Sequence, residues 1–361
     1  MVSSNFKNGV IIYGTGGNAT AITEIIEANN IFIKFYCVGH KKYLTKNEFR
    51  GKKVYILDDV PSEERVNLPI FISNYSPNFS IKDIKNDIQK KGFKNIFDLY
   101  DLVRIFNVEN TFYWLTNHPY EQANEAKVKE VRNLLRDDLS KSIFDSTVDC
   151  RLKKDFSKLK ENLSTPKEQY LPENLKEFIL DKDLYFLDAG AYIGDSYDFF
   201  KSQGAIINKY IGLEPDPKNY EKLVQLVKNE KSPIETLLLP CGLWSKTTQL
   251  RFNCQDISAG SSIGNTGDIL IQCLSIDEFI KDSKINLIKM DIEGAEIDAI
   301  KGGIHTIKNC KPMLMISLYH KPEDLIEIPL LLNEICKEYN FFIRYHAYNG
   351  FDIVLYAFPK Q

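Results

Sequence analysis

The run YFLDAGAYIGDSYDFF, residues 185–200, changes character in its middle. An apolar stretch, read as a buried strand, reaches Asp188, Gly190 and Gly194 and then continues as a helix. A strand that turns through glycines straight into a helix is the first half of a crossover unit, and crossover units build parallel sheets. Open sheets of this kind hold ligands in the crevice at the carboxyl ends of their strands. The turn is therefore a fold signal and a site signal together. A nicotinamide dinucleotide, a nucleoside triphosphate and S-adenosylmethionine are the candidate ligands.

The same alternation recurs twice. Residues 1–105 carry GVIIYG, a helix from Thr20 to Asn29, IFIKFYCVG, PIFIS, a helix from Ile81 to Lys91 and NIFDLY. This predicts a smaller Rossmann-like, nucleotide-binding-type α/β domain. Residues 106–180 are polar, with apolar positions at mixed three and four spacing, and are expected to form a helical linker through which a homo-oligomer could pack. Residues 181–361 read as a second α/β domain with strands LYFLDAG, KYIGLEP, IETLLLP, INLIKMD and PMLMISLYH. A hairpin-like excursion, TQLRFN and ILIQCLS, separates the third and fourth of these. Asn349-Gly350, between two β-rich runs, predicts a two-residue turn. Five crossover strands closed by an antiparallel C-terminal hairpin match the sheet of class I methyltransferases.

Composition narrows the function classes. Forty-three per cent hydrophobic and 26% charged residues are ordinary for a soluble globular chain. Lys and Arg (46) are interspersed with Asp and Glu (49), and the net charge of -3 gives no pull toward nucleic acid or anionic lipid. No apolar run approaches the ~18 residues of a membrane span. The N-terminus lacks the pattern of a secretory signal. The seven cysteines form no C-x-x-C pair, which suits reduced thiols in a cytoplasm. Neither a basic patch nor a D/N-P-P-aromatic string points to a nucleic-acid substrate.

The residues of the first turn discriminate among the ligands. Asp188-Ala-Gly-Ala-Tyr-Ile-Gly194 reads D-x-G-x-x-x-G, where a dinucleotide site wants G-x-G-x-x-G. An acid before the first glycine opposes a pyrophosphate and suits the sulfonium and ammonium groups of S-adenosylmethionine. Glu214, ending the next strand in YIGLEPDPKNY, is placed to accept both ribose hydroxyls. In LPCGLW the expected adenine contact is backbone near Cys241. Asp291 and Glu293 flank Ile292 at the end of the fourth strand and so share one side of it. Glu296 falls in the following helix's first turn, where acids usually serve the dipole.

LDAGAYIGD, GLEPD, SIDEFI and IKMDIEGAE, with ISLYHKPEDLIEIPLLL and FFIRYHAYNGFDIVLYAFP, resemble the FkbM-type methyltransferases over about residues 181–359. Tyr192 stands where most members have Asn. The resemblance implies S-adenosylmethionine-dependent O-methylation, commonly of a hydroxyl on a sugar, glycan or glycosylated metabolite. The expected cofactor set is Asp188, Gly190, Ala191, Tyr192, Gly194, Glu214, Cys241 and Asp291. Methyl transfer to oxygen needs positioning and a base for the hydroxyl proton. His320, at the carboxyl end of the fifth strand, is the expected base, with Asp291 and Glu293 as the other catalytic candidates. A divalent metal shared by Asp291, Glu293 and His320 is chemically conceivable, although no spacing rule supports it.

The N-terminal YGTGGNATAI is formally a G-x-G-x-x-A fingerprint between strand and helix. Its second strand ends at His40, where NAD binding wants an acid. Gly14, Gly16, Gly17 and Asn18 are therefore candidates for a phosphate or sugar-nucleotide ligand. The rival reading of the whole chain is a nucleotide-sugar-binding or NAD-dependent sugar-modifying protein built on this fingerprint.

Overall fold

The computed structural model describes residues 6–106, 120–159, 168–229, 234–253, 262–263, 269–280 and 284–360. It divides into two units: Met1–Ala123 with Ser146–Glu161 and Ala347–Phe351, and Asn124–Asp145 with Asn162–His346 and Asp352–Gln361. The chain thus alternates between them, and the expected division at 105 and 180 is replaced. The predicted linker has no separate existence. Its residues 124–145 and 162–180 fall in the second unit, and 146–161 in the first.

The first unit opens β1 (Val10–Tyr13), α1 (Gly17–Ala28), β2 (Ile33–Val38), β3 (Glu48–Phe49) and β4 (Lys52–Ile56). It continues α2 (Ser62–Asn67), β5 (Ile70–Ile72), α3 (Ile81–Lys90), β6 (Ile96–Phe97), α4 (Leu99–Phe106) and α5 (Tyr120–Ala123). The six strands are ordered β3-β4-β2-β1-β5-β6, parallel apart from the β3–β4 pair. Apolar strands bury Val10, Ile11, Ile12, Ile70 and Phe71 in its core. Cys150 and Phe156 belong to this core too, the Phe156 ring lying 4.1 Å from that of Tyr100. That burial draws 146–161 into this unit.

Asn349 completes the loop before α3. Its Nδ2 donates to the carbonyls of Ser76 and Phe79 at 2.9 and 2.7 Å, and its Oδ1 accepts from the Ile81 amide at 3.1 Å. Ile81 is the first residue of α3, whose N-cap Ser80 makes no side-chain cap, so Asn349 satisfies a donor that the helix leaves unpaired.

The second unit begins with α6 (Glu125–Leu134), the opening of α7 (Asp138–Lys153), and α8 (Glu177–Leu180). Then come β7 (Leu184–Ala189), α9 (Asp195–Ser202), β8 (Ile207–Leu213), α10 (Pro217–Lys228), β9 (Glu235–Leu239) and β10 (Cys241–Leu243). The excursion is β11 (Thr248–Asn253), β12 (Ser262–Ile263) and β13 (Ile269–Leu274), followed by α11 (Ile276–Ile280). The remainder is β14 (Leu287–Met290), α12 (Glu296–Lys301), α13 (Ile304–Cys310) and β15 (Met313–Ser317). Last are α14 (Asp324–Ile335), β16 (Tyr339–Tyr345) and β17 (Ile353–Pro359).

Seven strands form one sheet in the order β16-β17-β15-β14-β7-β8-β9, parallel except where β17 enters against β15 and β16. This is the class I methyltransferase order, as expected from the crossover strands. The excursion is antiparallel between β11 and β13, but it joins β10 and β12 in a second, four-stranded sheet. The C-terminal hairpin differs from expectation at its tip. Asn349 and Gly350 do adopt left-handed φ of 62° and 84°, yet the ladder ends at Tyr345↔Ile353, leaving residues 346–352 as the connection. A two-residue turn is excluded because Asn349 serves the α3 loop instead.

α6 and the start of α7 belong here because they cover the hairpin. Val131 and Leu135 are buried, and the Arg136 amide donates to the Phe341 carbonyl at 2.9 Å. The buried Arg344 guanidinium donates to Asp137 Oδ2 at 2.7 Å and to Ser140 Oγ at 2.9 Å. An interior cation is tolerated only when so paired.

Candidate active site

The carboxyl ends of β7, β8 and β14 open into a cavity of about 300 Å³. β7 is buried throughout except at Tyr185, and so reads as a nearly continuous apolar run. Asp188 interrupts that run. It is wholly buried, directly beside Lys289 of β14 in the parallel register. Lys289 Nζ lies 3.1 Å from Asp188 Oδ1 and donates to the Gly190 carbonyl at 2.7 Å. The Tyr210 hydroxyl donates to Asp188 Oδ2 at 3.1 Å. Burial works against the Lys289 charge, but Asp188 and Asp291 outweigh it and hold the ammonium protonated.

This corrects one expectation. The Asp188 charge is spent on Lys289, so it does not offer an anionic wall to a cationic ligand. The pair instead clamps the turn between two strands. Gly190 could be nothing else: its φ is 72°, and an added Cβ would meet the Asp291 carbonyl at 1.8 Å. The Gly190 and Ala191 amides both donate to the Leu213 carbonyl, tying the turn to β8. Gly194, at φ 89°, starts α9. Gly190, Tyr192, Glu214, Cys241 and Asp291 line the cavity, whereas Asp188, Ala191 and Gly194 do not.

Glu214 ends β8 with its carboxylate at the cavity. Oε2 accepts from the Tyr192 amide and Oε1 from the Asp216 amide, both at 2.8 Å. Asp216 in turn caps α10 through the Lys218 and Asn219 amides, and Pro217 fixes the helix's first residue. Burial pushes the Glu214 carboxyl up to about 7, against the pull of those two amides. Cys241 opens β10 at the cavity wall, its thiol also raised by burial.

Asp291 follows β14 at the opposite wall. Its Oδ2 accepts from the Tyr170 hydroxyl at 2.7 Å, and its Oδ1 from the Tyr319 hydroxyl at 3.4 Å. His320 Nε2 lies 3.3 Å from the same Oδ1 and 3.6 Å from Glu293 Oε2. His320 Nδ1 lies 2.9 Å from Glu296 Oε1, which also accepts from the Ile292 amide at 2.9 Å. Burial raises the Asp291 carboxyl, but His320, Lys289 and Tyr170 together bring it below its ordinary value.

His320 is thereby corrected as the base. Burial disfavours its charge, yet Glu296, Asp291 and Glu293 overcome that and raise it to about 10. Near neutral pH it carries its proton and has no lone pair to offer. Nor does it border the cavity, which Asp291, Glu293 and Tyr319 do.

Lys289, Tyr170 and Tyr319 were missed from sequence. Lys289 had a signal, an ionic side chain inside the apolar run INLIKM beside Asp188's strand. Tyr170 had none, because it arrives from a segment far from the motifs. It is held at φ 70°, and two more cavity residues, Tyr192 and Glu293, also have positive φ, of 49° and 53°. Such conformations persist only where the surroundings fix them, and they gather at functional sites.

The N-terminal fingerprint also borders a cavity, of about 410 Å³, with Gly14, Gly16, Gly17 and Asn18 in its wall. Asn18 Nδ2 donates to the Tyr75 carbonyl at 3.2 Å. Among the described residues no carboxylate lines that cavity, and the exposed His40 accepts from the Lys42 amide through Nδ1.

Comparison with known proteins bears on the site of the second unit. The chain is similar to the hexuronic acid methyltransferase AglP of Haloferax volcanii, with 23% identity over 159 residues. That match spans 43% of this chain and 63% of the relative's length. The fold is shared with the crystal structure of Methyltransferase FkbM from Methylobacillus flagellatus KT, with a TM-score of 0.81 and 20% identity. The superposition covers 99% of this chain and 92% of the other. Residues 188–348, which hold the cavity's β7, β8 and β14 ends, match the family described as the Methyltransferase FkbM domain. The family match is to residues 188–348, which form an FkbM methyltransferase domain.

Proposed function

We propose that the chain methylates a hydroxyl of a sugar, glycan or glycosylated metabolite, using S-adenosylmethionine. The observation that carries this reading is Glu214: a carboxylate at the end of the second sheet strand, held facing the cavity by two backbone amides. A carboxylate keeps two further acceptor sites after those bonds, enough for both ribose hydroxyls. S-adenosylmethionine supplies an electrophilic methyl group. Gly190 and Tyr192 form the floor on which its amino-acid part would rest, and Cys241 sits on the adenine side. The Asp188–Lys289 pair keeps that floor rigid.

The acceptor enters at the Asp291 and Glu293 wall. Glu293, with about a third of its side chain exposed and bordering the cavity, takes the hydroxyl proton as the oxygen attacks. Asp291, held by Tyr170 and by the imidazolium of His320, orients the hydroxyl. A sugar acceptor fits the name of the relative from Haloferax volcanii. A second reading rests on the N-terminal cavity, where a sugar nucleotide or phosphate would meet Gly14, Gly16, Gly17 and Asn18.

Calorimetry of the full chain with S-adenosylmethionine, S-adenosylhomocysteine, NAD and UDP-sugars tests both. Binding of the adenosyl ligands, lost in Glu214→Ala, is expected. Binding of NAD with neither adenosyl ligand overturns the proposal.

A further inference from the structure

The cavity of the first unit, about 410 Å³, lies at the carboxyl ends of β1, β2 and β5. β1 stands between β2 and β5, so the strand order reverses beside it. Open α/β sheets bind ligands at such a reversal. The polar groups of the wall fall into two sets. Ser73 Oγ donates to the Tyr13 carbonyl at 2.7 Å and Asn18 Nδ2 to the Tyr75 carbonyl at 3.2 Å, so both are spent on the loops. The Tyr13 hydroxyl, the Thr15 hydroxyl and the Asn74 side-chain amide have no hydrogen-bond partner among the described residues. Burial pushes the Tyr13 hydroxyl up to about 12, so it remains a donor. The backbone amides of Gly16, Gly17 and Asn18 likewise meet no acceptor among the described residues, and Gly16 brings no side-chain cap.

Nothing in the fold requires glycine at the first position of α1. The φ of Gly17 is not positive, and an added Cβ would meet nothing within 4 Å. What its absence leaves is an open approach to those amides, and close approach of backbone to a ligand is one of the uses of glycine. Tyr43 and Phe79 border the same cavity and are 46% and 43% exposed. Lys42 Nζ lies 4.8 Å from the centre of the Tyr43 ring, which brings an ammonium group to that side.

We propose that this cavity binds a single nucleotide, with its phosphate on the Gly16–Asn18 amides and its base against Tyr43 and Phe79. Backbone amides at a helix start hold phosphate. The Thr15 hydroxyl, just ahead of them, adds one more donor. Aromatic rings stack on the face of any base, which gives the two exposed rings a partner. The Asn74 amide, donor and acceptor at once, and the Tyr13 hydroxyl suit the edge of a base or a ribose. A dinucleotide site reads the ribose diol with an acid at the end of the second strand. Among the described residues no carboxylate lines this cavity, so the ligand is a nucleotide, free or carrying a sugar, and not NAD. This deepens the second reading given above and does not rest on methyl transfer.

The test is calorimetry of the full chain with UDP, ADP, UDP-N-acetylglucosamine, NAD and inorganic phosphate, with and without saturating S-adenosylhomocysteine. A nucleotide should bind roughly tenfold or more tighter than phosphate, as one stacked base allows, and S-adenosylhomocysteine should not displace it. Tighter binding of UDP-N-acetylglucosamine than of UDP identifies a sugar nucleotide, and equal binding identifies the nucleoside diphosphate alone. Phe79→Ala, at an exposed side chain, should weaken binding roughly ten- to hundredfold. Gly17→Ala should weaken it as well, while the melting temperature holds or rises because alanine is the better helix former. Four results overturn the site: no binding at millimolar nucleotide, displacement by S-adenosylhomocysteine, NAD or phosphate as the tightest ligand, or unchanged affinity in both variants. If S-adenosylhomocysteine itself fails to bind, the methyl-transfer reading falls and the nucleotide result stands.

Discussion

Glu214 gives a prediction in which stability and function pull apart. Its carboxyl is raised from an ordinary 4.5 to about 7, and at ~1.4 kcal/mol per unit this amounts to about 3 kcal/mol. The folded chain therefore binds this proton more tightly than the unfolded chain. Stability from Glu214 is fully present below 4.5 and is lost as pH rises through about 7. Glu214→Gln removes that slope. Glutamine also loses one of the two amide bonds, a cost of about 1 kcal/mol that does not vary with pH. The difference between wild type and variant thus isolates the ionisation. Asp324 and Asp352, raised to about 7 and about 6 mainly by burial, slope the same way in both proteins and cancel.

The assay is denaturant or thermal unfolding of both proteins at half-unit steps from pH 4.5 to 8. Wild type should lose roughly 2–3 kcal/mol relative to Glu214→Gln across that range, or about 5–10 °C in Tm for a unit of this size. Affinity for S-adenosylhomocysteine should run in the opposite sense in wild type, rising with pH as the carboxylate forms. Glu214→Ala should weaken it ten- to hundredfold, for the loss of charge-assisted bonds worth roughly 1.5–3 kcal/mol. Parallel stability curves for wild type and Glu214→Gln would refute the assigned burial of the charge.

Lys289→Met leaves Asp188 buried without its counter-charge and should cost about 3–5 kcal/mol, read as the midpoint of urea unfolding. Glu293→Gln should lower kcat by 10²–10⁴ if Glu293 is the base, with cofactor affinity unchanged by calorimetry; near-normal turnover would remove it. The wild-type rate should show no imidazole limb between pH 6 and 8, because His320 keeps its proton up to about 10; a limb near 6.5 that His320→Asn abolishes would restore it as base. A chain beginning at residue 160 should aggregate, since it strips Asp137 and Ser140 from the buried Arg344. A chain beginning at residue 124 should stay soluble and bind S-adenosylhomocysteine, and size-exclusion chromatography of the two decides.

The sheet was legible because β7, β8, β9 and β14 are largely apolar runs that end at Asp188 and Gly190, Glu214-Pro215, Pro240 and Asp291. Those local signals suffice to fix crossover order. Glu214 was legible for the same reason, as a strand-end acid followed by prolines. Asp188 was misread because its partner, Lys289, lies 101 positions away and meets it only through strand register. The charge state of His320 depends on carboxylates from two other segments, which no spacing rule combines. The linker was misdivided because its helix pattern tells which face is apolar but not which core receives it.

Asn349 carries a consequence for synthesis on the ribosome. The amide at the start of α3 meets its side-chain acceptor only 268 positions later in the chain. Nascent chains emerge at about 5–20 residues per second, so the N-terminal unit waits, unfinished at that loop, while nearly all of the methyltransferase domain is made. Its closure is set by the last hairpin to emerge, and a chain halted before residue 349 would leave the α3 loop of the first unit without Asn349 and the sheet of the second without β17.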